Sequence, residues 1–175
     1  MIFEIKCEDE FLSAQINSIL KDLLSLRTVD DNYNKLFTIQ INKVVDQIFI
    51  YSSFTKKFNT STPVEFSKLS KIIEKICQAY RHKVNNLIYF PFKQQITFQQ
   101  AKINLNDIHN LIFINLIISK KGVCKNLLYK VLWSKDKEIN MNKLDTHLTN
   151  LKSLIKEKLD VDLSIVSKKN ILMIN

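Results

Sequence analysis

The stretch EINMNKLDTHLTNLKSLI, residues 138–155, decides how the rest of this 175-residue chain is read. Its apolar residues recur at helical spacing, which predicts a helix over 142–159. At roughly 100° per residue, Leu144, Leu148, Leu151 and Ile155 share one narrow stripe that reads as buried. Asn142, Thr146, Thr149, Asn150 and Ser153 fall on the opposite face, which is polar, compact and uncharged. Lys143 and Lys156 lie near the edges of that face, and Lys152 lies closer to the stripe. Asparagine can pair with an adenine edge, threonine can hydrogen-bond or touch a thymine methyl, and lysine can hold phosphate. An ordinary solvated helix face is the other reading. In a chain with 26 lysines and arginines, such a face would be expected to carry charge at its centre.

Upstream, GVCKNLLYKVLW (residues 122–133) predicts a helix over 125–133. Before it, Asn106 and Asp107 read as the cap of a helix over 108–120, with Gly122 as the left-handed residue that lets the chain turn. Downstream, LSIVSKKNILMI (163–174) reads as a hairpin, with strands at 163–166 and 171–174 around a Ser-Lys-Lys-Asn turn. Three helices followed by a terminal hairpin is the order of a winged helix-turn-helix. Strands at 87–92 and 95–100 precede them, which puts the start of this domain at residue 85. The aromatic run Tyr89, Phe90, Pro91 and Phe92, with Phe98, could stack on single-stranded bases. Packing between a sheet and helices is the commoner use of such residues.

These residues resemble the DNA-binding domain of OmpR/PhoB-type response regulators over roughly the last 75 positions. The most specific pieces are Leu132-Trp133 and Leu144-Asp145-Thr146-His147-Leu148 followed by Leu151-Lys152. The resemblance implies a winged helix-turn-helix that binds double-stranded DNA through Asn142, Lys143, Thr146, His147, Thr149, Asn150, Lys152 and Ser153, with Lys168 and Lys169 in the wing. It also implies that the connection at 134–141 meets RNA polymerase. Family members often place arginines at the positions of Asn142, Thr149 and Asn150, and two glycines in the wing, where this chain has Ser167-Lys168-Lys169-Asn170. Arginine is the strong bidentate reader of guanine, so an A·T-tolerant or weakly specific reader is expected. A winged-helix protein-interaction module without sequence-specific DNA binding is the alternative.

Residues 1–84 are then compared with a phosphoacceptor receiver. Strands at 2–7, 36–41 and 44–51 and a helix over 8–24, with Phe11, Ile16, Ile19 and Leu20 on its apolar face, surround a turn-rich connection at 28–34. A second helix is expected from Thr62 as cap and Pro63 as first residue to about His82, ending in a basic Arg-His-Lys turn. The acidic pair of the receiver is matched by Glu8 and Asp9, and its lysine by Lys56. Tyr51 stands where the acceptor aspartate is expected. A phenol cannot form an acyl phosphate, so the resemblance implies a degenerate, phosphorylation-independent receiver whose remaining role is homodimerisation. A small α/β domain unrelated to receivers fits the same residues. Taken together, the expected fold class is α+β, a small receiver-like domain followed by a winged helix.

Composition bounds the remaining classes. One glycine in 175 residues excludes glycine-rich nucleotide loops, which need backbone free of Cβ against pyrophosphate. Cys7, Cys77 and Cys124 are odd in number and far apart, and His82, His109 and His147 pair with no cysteine or acid at ligand spacing. No metal, no cofactor and no catalytic activity are therefore expected. His109 reads as a surface or packing residue. No apolar run is long enough for a membrane span, and the acidic start argues against a secretion signal, so the chain reads as cytoplasmic. Of the +9 formal charge, residues 101–175 hold thirteen lysines against seven acids. The excess lies in the part expected to meet DNA.

Overall fold

The computed structural model describes residues 3–23, 37–119 and 121–174. They form a mixed α and β protein that divides into two compact units, the first within Met1–Ser25 and Asn34–Tyr80, the second including Arg81–Asn175. The turn-rich connection at 28–34, Leu24, Leu36 and Lys120 lie outside the described residues.

In the first unit the order is β1 (Phe3–Lys6), α1 (Glu10–Leu23), β2 (Phe37–Val44), β3 (Gln47–Tyr51), β4 (Phe58–Ser61) and α2 (Phe66–Ala79). The sheet order is β1-β2-β3-β4. Strands β1 and β2 are parallel, with Lys6 opposite Gln40, while β2–β3 and β3–β4 are antiparallel. A receiver-like sheet is wholly parallel, so the receiver expectation is corrected here. The reason is local: Val44 is opposite Gln47, leaving Val45 and Asp46 as a two-residue reversal, and a parallel return needs a dozen residues or more. Both helices cover one face. Phe37, Ile39, Ile41, Ile48 and Ile50 meet Leu12, Ile16, Ile19 and Leu20 of α1 and Leu69, Ile73 and Ile76 of α2, all buried. Each such side chain contributes roughly 1.5–3 kcal/mol.

Three expectations in this unit fail for identifiable reasons. Phe11 is 74% exposed and Leu12 takes the buried place, because α1 starts at Glu10 with Asp9 accepting from the Leu12 amide at 3.0 Å. The second helix begins at Phe66, not Pro63. The Thr62 amide donates to the Asp46 carbonyl at 2.8 Å, which holds Thr62 beside the hairpin, and the Thr62–Pro63 bond is cis. That helix ends at Ala79, and the Arg-His-Lys turn is no helix terminus: His82–Val84 is a strand of the second unit.

The second unit runs β5 (His82–Val84), β6 (Leu87–Phe90), a 3-10 turn (Pro91–Lys93), β7 (Gln95–Phe98), β8 (Ala101–Asn104), α3 (Asp107–Ile118), β9 (Val123–Cys124), α4 (Lys125–Leu132), α5 (Met141–Leu159), β10 (Ile165–Lys168) and β11 (Ile171–Ile174). Strands β5 to β8 form an antiparallel meander; β10, β11 and β9 form a three-stranded sheet in that order. Helix α3 is apolar on nearly all sides, with Ile112, Phe113, Ile114, Leu116 and Ile118 buried, as befits the central element. Its cap is the expected one, Asn106 Oδ1 accepting from the His109 amide at 2.8 Å. The aromatic run packs as the commoner reading has it for Tyr89. This ring is buried edge-on against Phe113 at 4.8 Å, and its hydroxyl donates to Asn110 Oδ1 at 2.5 Å.

Candidate nucleic-acid interface

Helix α5 carries the buried stripe where its spacing places it: Leu144, Leu148, Leu151 and Ile155, extended by Leu159. The stripe packs against α3, α4 and β8. Asn140 caps the helix, its side-chain oxygen accepting from the Lys143 amide at 3.3 Å. Asn142, Thr146, Thr149, Asn150 and Ser153 are all exposed. The Thr146 hydroxyl donates to the Asn142 carbonyl at 2.8 Å, so its oxygen lone pairs and methyl group remain outward. No ionised group stands among these five side chains. Their side chains are amides, hydroxyls and methyls, bordered on the helix by the exposed Asp145 and Glu157.

The hairpin is built next to this helix by three connections. Its strands close on a two-residue turn, Lys169 and Asn170, with Lys168 opposite Ile171. Both turn residues are left-handed, at φ 49° and 66°, as the tight hairpin reversal requires. The first strand is therefore Ile165–Lys168 rather than 163–166, and Lys168 lies on the strand with Lys169 at the tip. Strand β11 pairs with β9, Ile171 opposite Cys124 and Leu172 opposite Val123. At the tip, the Asn170 carbonyl accepts from the Lys125 amide at 2.9 Å. The Lys125 ammonium lies 2.7 Å from Asp145 on α5. Hairpin tip, start of α4 and the first half of α5 are thus fastened through one residue, with Lys168 and Lys169 both exposed.

Gly122 permits the approach of the hairpin. Its φ is +84°, and a Cβ there would stand 2.5 Å from Ile171 Cγ2, 2.5 Å from Met173 Cγ and 2.7 Å from the Leu172 carbonyl oxygen. Its amide donates to the Ser119 carbonyl at 3.2 Å, so it sits four residues beyond the end of α3. The close contact with β11, more than the helix end, is what demands glycine.

Two expected contacts are placed differently. His147 does not lie on the polar face. It packs between the rings of His109, at 5.7 Å, and Trp133, at 5.4 Å, because its position on the helix adjoins the buried stripe. His109 is 7% exposed. Neither of its ring nitrogens, nor Nδ1 of His147, has a hydrogen-bond partner among the described residues. Burial, with the neighbouring His147, lowers the His109 pKa below the ordinary 6.5. Lys143 is engaged too: its ammonium lies 2.9 Å from Asp136 and 4.5 Å from the Trp133 ring centroid. Asp136 also accepts from the Tyr129 hydroxyl at 2.6 Å, and these donors hold its carboxyl below the usual carboxylate range. Lys156 pairs with Asp162 at 3.0 Å and Asp160 at 3.5 Å. Lys152 is half-buried beside the polar face.

The residues matched to a receiver site are not gathered. Glu8 and Asp9 line a cleft of about 630 Å³ with Lys6, Cys7, Leu12 and Lys43, and neither Tyr51 nor Lys56 lines it. Tyr51 follows the buried Ile50 on β3, so it faces away from the helices, and its hydroxyl accepts from Asn42 Nδ2 at 3.2 Å. Lys56 is in the loop after β3. Among the described residues no three histidine, cysteine or acidic side chains form a metal-binding group, and no helix is long and apolar enough to cross a membrane. No protein-family model matches the chain, and no curated protein matches it significantly.

Proposed function

We propose that the second unit is a winged helix-turn-helix that binds double-stranded DNA and acts in transcription regulation, with α5 in the major groove and the β10–β11 hairpin on the flanking backbone. The observation that carries this reading is the exposed, uncharged side chains of Asn142, Thr146, Thr149, Asn150 and Ser153, fastened through Lys125 to a hairpin that presents Lys168 on its first strand and Lys169 at its turn. Amides and methyl-bearing hydroxyls suit A·T pairs, and without arginine the face lacks the strongest reader of guanine. Phosphate contact falls to Lys152, Lys168 and Lys169, since Lys143 and Lys156 are held by carboxylates. His147 leaves the contact set and acts by packing α5 on α4. The connection at 134–140, anchored by Asp136 and presenting Ile139, is the surface for RNA polymerase on the resemblance to OmpR/PhoB-type domains.

The test is binding to A·T-rich duplexes across a salt series. Affinity falls as salt rises, with a logarithmic slope of about −0.9 per phosphate contact. Lys168→Glu with Lys169→Glu abolishes binding. Unchanged binding by the double variant overturns the assignment. The neutralised Lys143 and Lys156 favour a second reading, in which the same polar face docks a protein; partner capture that survives the double variant would select it.

A further inference from the structure

Among the described residues of the first unit there are five exposed large apolar side chains; Leu23 is at the far end of α1, and the other four lie at one end of the unit. Strand β1 runs towards that end and α1 starts there, β2 finishes there at Val44, and the reversal at Val45 forms its tip. Strand β4 returns to it, since Ser61 lies opposite Gln47, and α2 starts after a four-residue connection. Phe11 is 74%, Val44 57%, Val45 82% and Phe66 51% exposed. Large apolar residues grouped on a soluble surface mark an interaction site. Val45 is also left-handed, at φ 53°, a conformation that costs a β-branched residue more than asparagine or glycine. Chain folding alone gives no reason for valine at that turn.

The same end holds the cleft of about 630 Å³, whose floor is the buried Leu12 and Ile41 and whose rim includes Lys6, Glu8 and Lys43. A projecting apolar tip and an apolar-floored cleft on one surface are the two halves of a self-complementary contact. A two-fold axis places each tip in the cleft of the other copy. Charge selects the occupant. Exposed Glu8, Glu10, Asp46 and Glu65 stand among Lys6, Lys43 and Lys68, so this end carries no excess positive charge in a chain of net +9. A nucleic acid or an anionic membrane would need the opposite. Two copies meeting here bring together surfaces that hold both carboxylates and ammonium groups, not one sign of charge.

We infer that this end of the first unit is the interface of a two-fold homodimer, with the Val44–Val45 tip of each copy seated in the Leu12–Ile41 cleft of the other. The contact stands apart from DNA binding, so loss of one proposal leaves the other intact. Sedimentation equilibrium of the full chain tests it. A dimer is expected at about 100 µM, and Val45→Asp weakens it at least about tenfold. Phe11→Ser, on an exposed helix position, does the same and serves if Val45→Asp fails to fold, as judged by circular dichroism. Val45→Gly keeps the turn but removes the knob, and also weakens the dimer. A wild-type chain that is monomeric at this concentration overturns the inference. So does a dimer unaffected by folded Val45→Asp or Phe11→Ser.

Discussion

Gly122 shows how much one side chain can decide. In a chain with a single glycine, left-handed turns elsewhere are made by Val45, Asn85, Gln94, Gln99, Asp160, Lys169 and Asn170, so positive φ alone does not require it. The distinguishing fact is the contact: an added Cβ would meet β11 backbone and two of its side chains at 2.5–2.7 Å. Gly122→Ala should therefore destabilise the second unit by about 2–4 kcal/mol, read as a fall in denaturant midpoint at unchanged slope. The hairpin amides should lose protection first. An unaltered midpoint would show that β11 yields at little cost.

At the scale of the element, α5 has one buried and one exposed face, and substitutions on the two should act differently. Leu151→Ala removes a fully buried side chain and should cost about 2–5 kcal/mol. Asn150→Ala, on the exposed face, should leave the unfolding curve within about 0.5 kcal/mol of the original while weakening DNA binding. Chemical denaturation and titration of one duplex check both. This helix was legible in the sequence because its four leucine and isoleucine positions obey one period, and α3 because Asn106 precedes it. His147 was misread because it adjoins that stripe and can serve either face; the deciding neighbours, His109 and Trp133, come from two other elements. Strand β9 has two residues and makes no pattern. The Val45–Asp46 reversal carries no glycine or asparagine signal, so nothing local announced that β3 runs back along β2. Asn85-Asn86, by contrast, was a readable hairpin signal between β5 and β6, obscured by taking His82 and Lys83 for a helix end.

For the whole molecule, half-buried His82 and buried His109 set a pH dependence. His82 and His109 both have pKa values lowered by burial, so the unfolded chain binds protons more readily than the folded one. Stability is then fully present above the ordinary value of 6.5 and falls as pH drops through and below it. Asp136, whose carboxyl is held low, loses its contribution only at more acidic pH. Thermal unfolding between pH 7.5 and 5 should show the decline, and His109→Met should reduce it. Equal slopes for variant and wild type would remove His109 as a source. Both histidines lie in the second unit, so the first should hold its structure over the range where the second weakens.

The pairing of β9 with β11 has a consequence for synthesis. Val123 leaves the ribosome before Leu172, its partner, by about 50 residues, which at translation speeds takes a few seconds or more. Through that interval the part of α3 that β11 covers has no strand over it. The first unit, complete by Tyr80, can already be folded. Nascent chains of this protein would therefore pass through a stage with one finished unit and one open hydrophobic seam, and that stage is where a chaperone would act.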